Sequence, residues 1–405
     1  MRSKLSIVRQ QLHRLYLNEI LIRSSNKFQQ IVQTNSKRHY PINANRTESK
    51  QMKTDGYVIY DCDAGADDAW GLQMLIKWEE LLNKLKQEGK VDKTLKILAV
   101  TCVQGNTDVE NSSRNVLRVL ESVDRNDLNV LVLLPFQIPV YKGCAGPLKP
   151  RTSWQYTLHY HGKNGFGDVQ DLPDVDMSHI QQKHAVNAMY EFVCKKPGQV
   201  DFVMVGPLTN LAMCVLLYGP NFLNKIRNIY IMGGNYQGRG NATPSAEFNV
   251  RMDPEAAFVI WEKTKRPLPI LPWETCIEAD LGLSVDWRLN VLGSVNSEFI
   301  KLMNKVESAI LIPKGFTEWI VCDAELVAAY ILPQLIIANS RIYSASVELA
   351  GTDTRGQMVI NHLIEKHVGN AEFITELHKE HFRRLISWTG GLLEDCEIEN
   401  LIGFA

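Results

Sequence analysis

Short strand-like runs alternate with longer amphipathic segments along most of this 405-residue chain. Runs of β-branched and aliphatic residues predict strands, and apolar residues at helical spacing predict helices. This alternation indicates an α/β fold in which helices wrap a parallel sheet. The predicted strands are Tyr57–Tyr60, Ile97–Val103, Val130–Leu134, Phe202–Val205, Ile229–Met232 and Leu268–Leu271, and the predicted helices include Ala69–Leu82, Val109–Val123, His179–Cys194 and Pro254–Lys265.

Four aspartates lie within eight residues at the end of the first predicted strand, at positions 61, 63, 67 and 68. Carboxylates at this density repel one another unless a cation lies among them. Gly65 allows a sharp turn, and Asp67 and Asp68 begin the next helix, where its dipole favours acidic residues. In open α/β sheets ligands bind at the carboxyl ends of strands, and Ca²⁺ and Mg²⁺ prefer oxygen ligands. The segment therefore predicts a divalent-cation site, although acidic residues also serve as ordinary helix caps.

Polar residues follow several other predicted strands. Residues 103–106, 205–210 and 232–235 each combine a small residue with an amide or hydroxyl. Each segment alone is compatible with a turn or a helix cap, but together they indicate a shared polar crevice. The segment 238–249 adds Asn241, Glu247 and Asn249, whose amides and carboxylate are suited to holding the neighbouring hydroxyls of a sugar.

Composition and charge divide the chain into two parts. Residues 1–50 hold ten Lys or Arg against two Glu, so we expect residues 1–54 to be a basic extension, either disordered or a mitochondrial transit peptide. Residues 55–405 are expected to form one catalytic domain. The net charge of −1 gives no case for nucleic acid, and no apolar run reaches the roughly 18 residues of a membrane span. Eight scattered cysteines without a C-x-x-C pair are typical of reduced intracellular thiols, so the expected location is cytoplasmic, or mitochondrial if the extension is a transit peptide.

The motifs at residues 61–69, 206–210, 232–234, 241–249 and 322–324 together resemble those of the inosine-uridine preferring nucleoside hydrolases, in the same order along the chain. The resemblance covers roughly residues 56–390. It implies an open, mostly parallel, Rossmann-like α/β fold. It also implies Ca²⁺-dependent hydrolysis of the N-glycosidic bond of ribonucleosides to ribose and a free base, in a homodimer or homotetramer.

The resemblance also assigns residue roles. The Ca²⁺ ligands would be the carboxylates of Asp63, Asp67, Asp68 and Asp323 and the backbone carbonyl of Val205, and Asp61 would support them from behind. Ribose would be held by the set Asn106, Asn241, Glu247 and Asn249, with His161 as a loop histidine near the sugar. Asp63 would be the general base that takes a proton from the attacking water.

Two positions depart from the family pattern. Cys322 lies where many members have a histidine that protonates the leaving base; a thiol can donate a proton less readily, or the residue simply fills space. Ala64 replaces the usual proline of the aspartate motif, which loosens the turn without removing a ligand. Phe316 and Trp319 are either base-stacking residues or packing residues.

Two alternatives remain open from the sequence. A Ca²⁺- or ribonucleoside-binding protein without turnover would keep the pocket but lack an effective acid at Cys322. A haloacid-dehalogenase-like phosphatase also has Asp-x-Asp after its first strand, but its chemistry does not require Asp67 and Asp68 or the 241–249 segment. Release of phosphate from phosphomonoesters would identify it.

Overall fold

The structure is a computed structural model that describes residues 56–123, 138–150, 160–278, 281, 283–363 and 369–403. The basic extension and the predicted strand at 130–134 lie outside these residues, so the division at residue 54 stays a prediction. The described strands are β1 (Gly56–Cys62), β2 (Leu95–Cys102), β3 (Val140–Lys142), β4 (Ile180–Gln181), β5 (Val200–Met204), β6 (Ile229–Met232), β7 (Leu268–Leu271), β8 (Ile337–Val347), β9 (Met358–Asn361) and β10 (Ala371–Leu377).

These strands form one sheet in the order β4-β3-β2-β1-β5-β6-β7-β10-β8-β9. Neighbours pair in parallel from β4 across to β10, and β8 is antiparallel to both β10 and β9. The predicted α/β class with an open, mostly parallel sheet is confirmed. The chain builds outward from β1 to β4 and then returns to the other side of β1 with β5. Because the strand order reverses there, the crevice beyond the carboxyl ends of β1 and β5 is where an open α/β sheet binds its ligand.

Thirteen α-helices connect the strands in the described part of the chain. They are α1 (Ala66–Gln87), α2 (Val109–Ser122), α3 (Ala185–Lys195), α4 (Thr209–Tyr218), α5 (Asn221–Lys225), α6 (Phe248–Met252), α7 (Pro254–Lys263), α8 (Trp273–Glu278), α9 (Glu298–Leu311), α10 (Cys322–Ile331), α11 (Pro333–Ile336), α12 (Lys379–Thr389) and α13 (Asp395–Ile402). Short 3₁₀ turns lie at Met177–His179 and Leu292–Ser294, and a π-helical turn lies at Trp287–Val291.

Alternate residues of β1 face the two sides of the sheet, as strand geometry requires. Val58 and Tyr60 belong to the core beneath α1, α10 and α12, whereas Ile59 belongs to the core beneath α3, α4 and α7. Both sides are therefore covered, which explains why β1 is a nearly continuous apolar run. Within the described residues, no helix combines the length and apolar character that crossing a bilayer requires.

The helix predicted over His179–Cys194 is wrong at its start. Residues Ile180–Gln181 pair with β3 as strand β4, and the helix begins only at Ala185. The ring of His184 accepts a hydrogen bond from the Val186 N–H and caps the helix. A capping residue at this point separates the segment into two elements that apolar spacing alone merged.

Candidate metal and substrate site

Residues 63–65, which we call the aspartate loop, join β1 to α1 at the point where the strand order reverses. Asp68, in the first turn of α1, closes this loop because its carboxylate accepts hydrogen bonds from the N–H groups of Gly65 at 2.7 Å and Asp63 at 3.2 Å. Ala64 adopts a φ of +47°, in the left-handed region that a non-glycine residue rarely occupies. The loop is therefore a tight turn held by hydrogen bonds from its backbone N–H groups to the Asp68 carboxylate, and it places the aspartates close together.

Three carboxylates converge at that point. Oxygen atoms of Asp67, Asp68 and Asp323 lie within 4.8 Å of one another, with Asp323 supplied by the first turn of α10. Asp68 and Asp323 are buried, and burial together with the neighbouring carboxylates raises the pKa of both well above the usual range. For Asp323 the largest cause is burial, followed by the carboxylates of Asp67 and Asp68. Buried like charges of this kind require a cation or protons, so this set fits a hard divalent ion with oxygen ligands.

Asp63 lies beside this group of three. Its Oδ2 accepts a hydrogen bond from the Asn106 N–H at 2.6 Å, and its Oδ1 accepts one from Asn106 Nδ2 at 3.2 Å. Burial raises the pKa of Asp63 to about 8, although the backbone hydrogen bond from Asn106 lowers it. A Cβ on Gly105 would lie 1.9 Å from Asp63 Oδ2, so only glycine allows the backbone this close. Asn106 thus fixes the orientation of a carboxylate beside the converging group, which suits Asp63 to proton transfer once a cation keeps it ionised.

The carbonyl of Val205 follows the end of β5 and accepts a hydrogen bond from Asn249 Nδ2 at 2.9 Å. A carbonyl oxygen has a second lone pair, so this contact leaves it able to bind a cation. Asp61 is the penultimate residue of β1 rather than a residue beyond its end. Its Oδ2 accepts hydrogen bonds from Thr101 Oγ1 at 2.6 Å and Asn210 Nδ2 at 2.8 Å, so Asp61 ties β1 to β2 and to the start of α4.

The segment after β6 arranges the predicted ribose-binding residues. Glu247 caps α6 and accepts hydrogen bonds from the backbone N–H groups of Gly234, Asn249 and Val250 at 2.7–3.1 Å. Burial raises the pKa of Glu247 to about 7, while these bonds lower it. Asn241 is exposed and its Oδ1 accepts a hydrogen bond from the Phe248 N–H at 2.8 Å. Glu247 and Asn249 thus lie in the buried crevice, and Asn241 lies at its outer edge.

Two polar residues that the sequence did not single out hold these loops in place. Glu274 is fully buried and accepts hydrogen bonds from the N–H groups of residues 236, 237 and 239 at 2.8–3.2 Å. Asn115 donates hydrogen bonds to the carbonyls of Ala64 and Asn164. Both act on backbone groups, and a lone acidic or amide residue in a helix gives no sequence signal for such a contact.

His161, which the family resemblance places near the sugar, lies against the aspartate loop. Its Nδ1 accepts a hydrogen bond from the Ala66 N–H at 3.1 Å, so the ring proton is on Nε2, which lies 3.3 Å from Asp67 Oδ1. Burial lowers the pKa of His161, while Asp67 raises it. A Cβ on Gly65 would lie 2.9 Å from His161 Cγ, so the glycine permits this close approach.

Cys322 is the first residue of α10 and lies next to Asp323. A hydrogen bond from Cys276 lowers the pKa of its thiol, but burial and nearby carboxylates raise it, to about 11. The thiol therefore carries its proton at neutral pH. Phe316 is 41% exposed and lies near Tyr160, with ring centroids 5.6 Å apart.

The base-stacking role considered for Trp319 is wrong. The side chain is 3% exposed, its Nε1 donates a hydrogen bond to Glu307 at 2.6 Å, and its ring packs edge-on against Trp70. Glu307 is also paired with the fully buried Arg288 at 2.6 Å. Trp319 is thus part of a buried polar cluster beneath α1, where a substrate base has no access.

The family model for inosine-uridine preferring nucleoside hydrolases matches residues 58–384. The chain belongs to this family. It is 27% identical over 305 residues to the inosine-uridine preferring nucleoside hydrolase of Leishmania major, a match that covers 75% of this chain and 87% of that protein. It is 34% identical over 207 residues to uridine nucleosidase 1 of Arabidopsis thaliana, which covers 50% of this chain and 52% of that relative. The match to the Escherichia coli pyrimidine-specific ribonucleoside hydrolase RihB is 33% over 204 residues and spans 50% of this chain and 55% of that enzyme.

Solved structures show the same fold. A plant nucleoside hydrolase aligns with a TM-score of 0.68 at 23% identity, covering 83% of this chain and 98% of that one. A purine-preferring ribonucleoside hydrolase from Gardnerella vaginalis aligns with a TM-score of 0.68 at 20% identity, covering 83% of this chain and all of that one. The overall fold of the chain is therefore that of these nucleoside hydrolases.

Proposed function

We propose that this protein is a Ca²⁺-dependent ribonucleoside hydrolase that cleaves the N-glycosidic bond to give ribose and a free purine or pyrimidine base. The observation that carries the proposal is the convergence of the carboxylates of Asp67, Asp68 and Asp323 beyond β1 and β5. Family membership and the curated relatives, named as nucleoside hydrolases and nucleosidases, support the reaction class.

The metal would be held by the three converging carboxylates, with Asp63 and the Val205 carbonyl beside them. Bound there, Ca²⁺ would supply charge that orients and acidifies a water molecule. All the candidate ligands are oxygens, and no thiol or imidazole belongs to the convergent group, which favours a hard cation over zinc.

The protein's own residues provide proton transfer and orientation. Asp63 would accept the proton of the attacking water, because Asn106 fixes the orientation of its carboxylate and a cation bound beside it would favour the ionised, proton-accepting form. Glu247, Asn249 and Asn106 hold the ribose hydroxyls, which explains a preference for ribose over deoxyribose, since a missing hydroxyl leaves buried polar groups unpaired. As the N-glycosidic bond breaks, positive charge develops on the sugar ring, and the nearby carboxylates stabilise this charge.

The leaving base needs a proton or an equivalent hydrogen bond. Cys322 holds a proton at neutral pH, but its pKa of about 11 makes it a weaker acid than an imidazolium. We therefore propose that turnover favours bases that depart readily without strong acid catalysis. A protein that binds ribonucleosides without turnover remains the second candidate, and this weak acid is the observation that favours it.

The test is release of reducing sugar from inosine, uridine, adenosine, guanosine and cytidine by Ca²⁺-loaded protein. Asp63→Asn keeps the shape of the side chain but removes the base, so kcat should fall by about 10²-fold or more. Asp174→Asn, at an exposed position outside the site, is the matched control and should retain full activity. Folded, Ca²⁺-loaded wild type that releases no ribose from any of the five would rule out hydrolysis of these substrates. Tight nucleoside binding in that case would identify the binding protein, and phosphate release from p-nitrophenyl phosphate would identify the phosphatase.

A further inference from the structure

Tyr160 lies between His161 and Lys314, and Lys314 belongs to the segment that follows α9. The ammonium group of Lys314 is 4.5 Å from the centroid of the Tyr160 ring and donates a hydrogen bond to the Tyr160 carbonyl at 2.5 Å. The ring of Phe316 lies on Tyr160 at 5.6 Å. A single cation thus fixes both the ring and the backbone of Tyr160. We call Lys314, Tyr160 and Phe316 the rim clasp.

The other neighbour of Tyr160 is His161. The two rings meet edge to face with centroids 4.7 Å apart. The two ring nitrogens of His161 face directional partners, because Nδ1 accepts a hydrogen bond from the Ala66 N–H and Nε2 lies 3.3 Å from the Asp67 carboxylate. An edge-to-face aromatic contact is directional, so the orientation of the imidazole depends on where the Tyr160 ring is held.

We infer that Lys314 is a positioning residue for His161, acting through Tyr160, and that it presets the histidine for the ribonucleoside. The inference rests on the proposed function. It joins two parts of the chain that contribute to the same site, because the segment carrying Lys314 continues directly into Cys322 and Asp323 at the start of α10. Tyr160 and Phe316 are 38% and 41% exposed, so the rim clasp adds little to the buried core and its effect should fall on substrate binding rather than on folding.

Lys314→Met keeps the length of the side chain but removes the charge. Losing one cation–π contact and one charged hydrogen bond should raise KM for a cleaved nucleoside about tenfold and leave kcat within about twofold, because only the fraction of protein with His161 in place binds substrate. Lys314→Arg should restore KM, since a guanidinium both stacks on an aromatic ring and donates hydrogen bonds. Lys301→Met is the matched control, because Lys301 lies on α9 and pairs with Glu298 at the exposed surface. Melting temperatures of all three variants should match that of the wild type.

A double-mutant cycle separates positioning from a general structural role. In a His161→Ala background, Lys314→Met should cause no further rise in KM, because the residue through which it acts is gone. An unchanged KM in Lys314→Met, or an undiminished effect in the His161→Ala background, would overturn the inference. Wild type that releases no ribose would refute the proposed function instead. The same cycle would then be measured as the Kd for inosine by calorimetry, where the same tenfold difference and the same loss of effect are expected.

Discussion

The left-handed backbone conformation of Ala64 can be tested with two substitutions, glycine, which adopts this conformation readily, and proline, which cannot adopt it. A non-glycine residue at φ +47° costs about 1–2 kcal/mol. Ala64→Gly removes that cost, but it loses a buried methyl group worth about 0.8 kcal/mol and makes the unfolded chain more flexible by about 0.4–1 kcal/mol. These terms nearly cancel, so the glycine variant should unfold within about 1 kcal/mol of the wild type.

Ala64→Pro should behave very differently, although the family resemblance implies proline at this position. Proline fixes φ near −65°, about 110° from the observed value. The backbone must then shift, and the two N–H bonds that Asp63 and Gly65 donate to the Asp68 carboxylate are lost. At about 1.5–3 kcal/mol for each hydrogen bond to a charged group, the cost is at least about 3 kcal/mol.

Urea unfolding followed by tryptophan fluorescence measures both free energies, and ribose release from the same samples reports the effect on the site. We expect near-wild-type stability and activity for Ala64→Gly, and a lower urea midpoint with greatly reduced activity for Ala64→Pro. A proline variant with the stability and activity of the wild type would show that the loop does not need the left-handed conformation. The reasoning about Asp68 as the residue that closes the loop would then be refuted.

Three further predictions concern metal, a buried ion pair and pH. Ca²⁺ at about 100 times its Kd should stabilise the folded protein by about 2.7 kcal/mol in thermal melts, and Asp323→Asn should lose most of this stabilisation. A wild-type melting temperature that does not change when Ca²⁺ is added would refute the proposed metal site. Arg288→Met should cost about 3–5 kcal/mol in urea unfolding because it leaves Glu307 buried without its cation, and adding Glu307→Gln should recover part of the loss; an additive double variant would speak against the pairing. The pKa of Glu247 is about 7 in the folded protein, against an ordinary value of 4.5, so the folded state binds the Glu247 proton more tightly than the unfolded state does. The stability that this proton contributes is therefore fully present below pH 4.5 and is lost as the pH rises through 7. Relative to Glu247→Gln, the wild type should therefore lose about 3 kcal/mol between pH 4.5 and 8 in urea unfolding, and parallel pH profiles for the two proteins would disprove the shift.

Strands with a strong apolar run could be predicted to within about two residues. β6 and β7 match their predictions, and β1 and β5 differ only at their ends. β3 and β4 have three and two residues, too few for a pattern to appear. β8 was missed because apolar and polar residues alternate irregularly along it. That these residues form a strand depends on their pairing with β10 rather than on local sequence preference.

The site shows the same division between local and long-range information. The segment from Asp61 to Asp68 could be predicted as a cation site from its density of carboxylates, and the structure brings Asp67 and Asp68 together with Asp323, some 255 residues away. That long-range partner followed only from the family resemblance. The two roles considered for Trp319 stayed open because the exposure of a single aromatic residue cannot be determined from local sequence, and the structure supports packing by burying the ring and pairing it with Glu307.

The position of β10 has a consequence for how the chain folds during synthesis. Among the described strands β10 comes last in sequence, yet it lies inside the sheet, between β7 and β8. A nascent chain that has emerged only as far as residue 370 contains every carboxylate of the candidate metal site but lacks the strand that joins the parallel part of the sheet to the β8–β9 hairpin. At about 5–20 residues per second, this state lasts on the order of one second, the time that the 7 residues of β10 need to emerge. During that interval β7 and β8 both expose an unpaired edge, and these are the edges at which premature association with other chains is expected.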